Sequence, residues 1–119
     1  MEDPVLRLPR RLPQAIAMEL ALTGDPTEAV DAHCYGSVNA LTPPGGALAG
    51  ALALAARISG NAPLAVAASR EILTGATDWT MEQGFIEQEV IYAPVIASAD
   101  AREGALAFAE KRPPIWQGR

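Results

Sequence analysis

The stretch SADAREGALAFAEKRPPIWQGR, Ser98–Arg119, is the most densely specified part of this chain. Ser98 offers the short hydroxyl that caps a helix by accepting a first-turn amide, and Asp100 stands where a carboxylate favours the positive end of the helix dipole. A helix is therefore predicted from Ser98 onward. Phe108 and Lys111 are three apart and so face the same way, while Lys111 and Arg112 fall in the predicted last turn, where cations complement the dipole. Capping alone accounts for the two cations. A chemical reading stands beside it: an aromatic plate next to an ammonium suits an adenine ring with a phosphate. A helix so closely specified, followed by a rigid basic tail, is expected to dock on something.

Working back from that helix, ten Gly and ten Pro punctuate the chain, mostly where helices begin or end. Pro13–Leu22 reads as a helix with Gly24 as its C-terminal cap. Asp25, Pro26 and Glu28 form a start signal for a second helix, about Pro26–Cys34, which stops at Gly36. Ser37–Leu41 alternates loosely and suits one short strand, and Thr42–Gly46 is a loop. Helical spacing then runs over Ala47–Ser59, closed by Gly60, with Asn61 opening the next helix at about Ala62–Thr74. A further helix starts at Asp78 or Thr80 and reaches about Ala93, where Pro94 stops or kinks it. The fold class is mainly α, about six helices and one short strand, in a single helical region over residues 1–119.

Composition narrows the function. Half of the 119 residues are hydrophobic but only 5% are aromatic, which favours close helix–helix packing of Ala, Leu, Val and Ile. The net charge of −5 argues against non-specific nucleic-acid binding. One cysteine, Cys34, permits no intramolecular disulfide, and a reduced cytoplasmic setting is expected. Met1–Pro13 has no apolar core of a signal peptide, and the apolar run Ala47–Ala56 is about half of what a membrane span needs. The helix Ala47–Ser59 has only Arg57 and Ser59 as polar side chains, so it is expected to be covered on all sides, by an oligomer or by a further domain.

No common catalytic constellation or metal motif is present. His33 and Cys34 are adjacent, so on a helix they point about 100° apart and make a poor nucleophile–base pair. Glu82, Glu87 and Glu89 read as a solvated face, and Met81, Phe85 and Ile86 beside them as core. The run Arg7–Arg11 could hold an anion, but reads foremost as surface charge near a helix start.

Taken together, three stretches resemble the enoyl-CoA hydratase/isomerase (crotonase) family. LPRRLPQAIAMELALTGDPTEAVDAHCYGSVN resembles its helix, LTG turn, A–A helix and GLVN strand, with Ser37 where Leu is usual. APLAVAASREIL is similar to a later helix of the family, with Arg70 where Lys is usual. SADAREGALAFAEKRPPIWQGR is similar to its closing S-x-D-x-x-E-G…A-F-x-E-K-R-x-P helix and tail. The resemblance covers about Leu6–Arg119, in order, and implies the C-terminal helical (trimerisation) region of the crotonase fold without its N-terminal ββα core. It implies acyl-CoA as substrate with no further cofactor. The two glutamates and two backbone amides that the family uses on the thioester would lie upstream of Met1, so no catalytic residue is carried over.

By position, Tyr92, Phe108 and Lys111 match residues lining the family's CoA site: Tyr92 toward the acyl end, Phe108 by the adenine, Lys111 by CoA phosphates. The resemblance implies a trimer or dimer of trimers, or a missing N-terminal portion; from charge, apolar run length and motifs, no nucleic acid, membrane or metal partner is expected. The expected function is part of an acyl-CoA-processing enzyme, foremost an enoyl-CoA hydratase. The alternatives are a non-catalytic helical module for oligomerisation or CoA binding, and an unrelated helical adaptor.

Overall fold

The computed structural model describes residues 4–119, and every regular element among them is helical. The chain divides into two compact units, one ending at Leu52 and the other running from Ala53 to Arg119. In the first unit, α1 (Pro4–Arg7) leads into a 3-10 turn (Leu8–Arg10), followed by α2 (Gln14–Thr23) and α3 (Ala29–Cys34). α4 (Ala47–Ser59) spans the division, and α5 (Pro63–Gly75), α6 (Met81–Ile96) and α7 (Ala99–Glu110) build the second unit.

Most helix ends follow the sequence signals. Gly24 closes α2 in the left-handed conformation at φ 71°, its amide donating to the Leu20 carbonyl at 3.1 Å. Thr80 opens α6 with a complete capping box: its hydroxyl accepts the Gln83 amide, and the Gln83 side chain accepts the Thr80 amide. Ser98 caps α7 as expected, accepting the Ala101 amide at 3.0 Å. Pro94 lies inside α6 rather than ending it. Two residues from the helix end, its missing amide removes a single ladder bond.

Three expectations fail for stated reasons. The second helix begins at Ala29, not Pro26, because the Thr23 hydroxyl receives the Asp25 amide and Glu28 remains extended at ψ 151°. Ser37–Leu41 forms no strand. A strand needs a neighbour for its backbone groups, and the Ser37 amide and hydroxyl instead both close on the Ala32 carbonyl. Asn61 does not open α5; its side-chain amide donates to the Arg57 and Ile58 carbonyls and so finishes α4.

Packing inside each unit is thin. Among the described residues the buried apolar side chains are Ala17, Ala68 and Ala107. Within the second unit α5 packs on α6, and Trp79 fills their corner against Gly75 and Gly84. A Cβ added at Gly75 would overlap the indole, so this position needs glycine for close approach. The larger apolar residues face outward. Met81, Phe85 and Ile86, expected in the core, are exposed, and so is all of α4 except half-buried Gly50. Leu48 is 72% exposed and Leu52 61%. No single helix among the described residues is long and apolar enough to cross a membrane.

Candidate functional site

The end of α7 and the tail after it hold the chain's most developed polar chemistry. α7 finishes in a two-bond turn: the Lys111 amide donates to the Phe108 carbonyl at 3.3 Å and the Arg112 amide to Ala107 at 3.1 Å. Lys111 itself is left-handed, φ 56° and ψ 36°, the one non-glycine residue with positive φ among those described. Glycine usually fills this position, and a residue with a Cβ costs about 1–2 kcal/mol more. The turn brings the Lys111 ammonium to 4.2 Å from the centroid of the Phe108 ring, which is 76% exposed. The sequence pairing of Phe108 with Lys111 is therefore present in space, but Lys111 and Arg112 lie just beyond the helix rather than in its last turn.

Arg112 is occupied. Its guanidinium donates to both oxygens of Glu103, at 2.6 and 3.0 Å, and to Glu110 at 2.6 Å. These bonds hold the Arg112 pKa above its ordinary range, Glu103 contributing most and Glu110 next. Glu103 also accepts the Ile115 amide at 2.8 Å. The Arg112 hydrogen bond first, and the Ile115 amide second, lower its pKa from 4.5 to about 2. Of the two adjacent cations, Arg112 is bound by carboxylates while Lys111 rests on an aromatic face. Lys111 is the one placed to meet an anion.

The tail is strapped to the same helix. Asp100, 1% exposed, accepts the Gln117 amide at 2.6 Å and the Gly118 amide at 2.8 Å. The Trp116 indole lies against Gly104 and donates to the Gly60 carbonyl at 2.8 Å. Asp100, Glu103 and Trp116 do more than the sequence reading gave them. The signal lay in Pro113-Pro114: an extended segment has no ladder partners for the amides that follow, so acceptors must come from elsewhere.

Tyr92 is placed apart from the Phe108–Lys111 pair. It borders an apolar concavity of about 260 Å³ lined also by Leu64, Val95, Ile96 and Trp116, whose lining includes neither Phe108 nor Lys111. His33 turns Nδ1 to the Val38 carbonyl at 3.1 Å, and Cys34 is exposed. Glu82, Glu87 and Glu89 are exposed, as a solvated face should be.

Comparison with known proteins gives this geometry a context. The chain matches the enoyl-CoA hydratase/isomerase family over residues 4–119. A carnitinyl-CoA dehydratase of Proteus mirabilis is 43% identical over 119 residues, covering 97% of this chain and 46% of the relative. The crystal structure of an enoyl-CoA hydratase from Mycobacterium marinum is 55% identical with a TM-score of 0.92, again over 97% of this chain and 46% of the other. One from Mycobacterium tuberculosis is 54% identical with a TM-score of 0.91 and the same coverage. The chain thus spans about half the length of the relatives it matches.

Proposed function

The chain belongs to the enoyl-CoA hydratase/isomerase family, corresponding to its C-terminal part, and from that we propose that it forms the closing side of a CoA site in an acyl-CoA-processing enzyme. The Lys111 ammonium seated on Phe108 by a left-handed turn carries the reading. Phe108 offers the adenine a flat apolar face, and Lys111 offers the phosphates a charge that no carboxylate among the described residues holds. Tyr92, at its own concavity, takes the acyl-side role that the family resemblance gives it.

The reaction we favour is addition of water across the double bond of a 2-enoyl-CoA, giving a 3-hydroxyacyl-CoA. Two mycobacterial hydratase structures share 54–55% of residues with this chain and the carnitinyl-CoA dehydratases 41–43%, while hydratases from Novosphingobium, Polaromonas and Bacillus share 31–34%. Hydration and dehydration are the two directions of one class of step, so the two sets of relatives agree on the class. Buried Asp100 and half-buried Glu103 are engaged with backbone amides and Arg112. We assign no catalytic residue to them. The exposed side chains of α4, Leu48 and Leu52 foremost, are proposed to be covered in the assembled enzyme by a sister copy or by the rest of the enzyme.

The engagement of both carboxylates also favours a second reading, a non-catalytic module that oligomerises or binds CoA. Following crotonyl-CoA loss with the protein from its native source separates the two. The enzyme reading predicts turnover, and Lys111→Ala should raise KM about tenfold with kcat nearly unchanged. The module reading predicts CoA binding that depends on Lys111 without turnover. Neither binding nor turnover would sink both.

A further inference from the structure

We infer that Glu103 is a positioning residue for CoA binding, acting through Arg112 to hold Lys111 in its left-handed turn; this rests on the reading of Lys111 and Phe108 as a CoA contact. The observation behind it is a conformational conflict. Lysine stands where a helix terminus favours glycine, and a residue kept in a sparsely populated conformation needs surroundings that over-determine it. Those surroundings are the contacts of the next residue. Arg112 is gripped by Glu103 through two hydrogen bonds and by Glu110 through a third.

Glu103 lies on α7 itself, nine residues before Arg112, so the grip folds the chain back along the helix immediately after Lys111. Its Oε1 also takes the Ile115 amide, fixing the chain on the far side of Pro113-Pro114. With α7 ending just before Lys111, and Arg112 and Ile115 both anchored after it, the direction of the backbone through Lys111 is set on both sides. The lysine stem then turns back over Phe108, and Nζ comes to 4.2 Å from the ring centroid. Glu103 accepts from the Arg112 guanidinium, and its influence on the ammonium passes through that group. An ammonium on a four-carbon stem is otherwise free to sample many rotamers, and holding it in advance removes that loss on binding.

The test compares two thioesters, crotonyl-CoA and crotonyl-pantetheine, with the native-source enzyme. The pantetheine thioester lacks the phosphorylated adenosine end and cannot reach the pair. Glu103→Gln should raise KM for crotonyl-CoA about fivefold, leave kcat alone, and leave the pantetheine thioester unaffected. In a Lys111→Ala background it should add nothing further. Lys111→Gly is the companion variant: it should melt higher than wild type, because glycine accepts the turn without strain, yet lose as much CoA affinity as Lys111→Ala. An equal decline with both thioesters, or a Glu103→Gln effect that persists without Lys111, would overturn the positioning role. If Lys111→Ala itself leaves crotonyl-CoA KM unchanged, the site reading fails rather than the positioning of it.

Discussion

α7 and α4 are of nearly equal length, 12 and 13 residues, and could hardly differ more in how they are finished. α7 has a capped start, two acidic side chains that collect the tail's amides, and an indole laid against Gly104. α4 is almost entirely aliphatic, and its leucines stay exposed among the described residues, Leu48 most of all. One helix is completed by polar bonds inside its own chain. The other carries apolar surface that the described residues leave exposed. The comparison teaches that helix boundaries are set locally, whereas the burial of a face depends on everything that the face meets.

The largest effect is expected at the polar end. Asp100→Ala leaves the Gln117 and Gly118 amides without their acceptor, and each hydrogen bond to a charged group contributes roughly 1.5–3 kcal/mol. We expect a loss of about 3 kcal/mol in thermal or denaturant unfolding, with faster hydrogen exchange at those two amides. If exchange there is unchanged, the strap is not held by Asp100. Next comes Gly75→Ala, which forces Trp79 out of the α5–α6 corner and should cost about 2 kcal/mol by overpacking. Trp79 fluorescence should shift with it.

A smaller effect is expected from acid. Glu103 has its pKa lowered from 4.5 to about 2, so its contribution is present above the unfolded value and is lost as pH falls through the folded one. Protection of the Ile115 amide should therefore hold from neutral pH to about 4.5 and disappear toward 2. In Glu103→Gln the same amide should show no such step. The smallest effect on the chain's own stability should come from Leu52→Asp on α4, within about 0.5 kcal/mol, because Leu52 is already exposed. Sedimentation should nevertheless show a smaller assembly. A large loss of intrinsic stability would mean that α4 is packed within the chain and would erase the contrast.

Much of this architecture was legible in the sequence. The bounds of α4, and the caps of α2 and α7 at Gly24 and Ser98, follow from the sequence signals, while the sequence leaves the start of α6 open between Asp78 and Thr80, of which Thr80 is the cap. Phe108 and Lys111 were paired by their spacing alone, and the structure brings them together. What escaped was non-local or two-valued. The alternation of Ser37–Leu41 encodes a willingness to pair but not a partner. Asn61 can cap either neighbour, and its donor group satisfied the carbonyls ending α4 instead of opening α5. In the sequence Asp100 reads only through the helix dipole and Glu103 is not singled out, because their partners lie 9 to 18 residues onward in the tail.

Calorimetric titration of CoA into the native-source protein, wild type against Lys111→Ala, tests the central claim most directly. The account predicts binding by the wild type and an affinity about tenfold weaker in the variant, the loss shrinking as salt is raised. Equal affinities in the two proteins at low salt would contradict it.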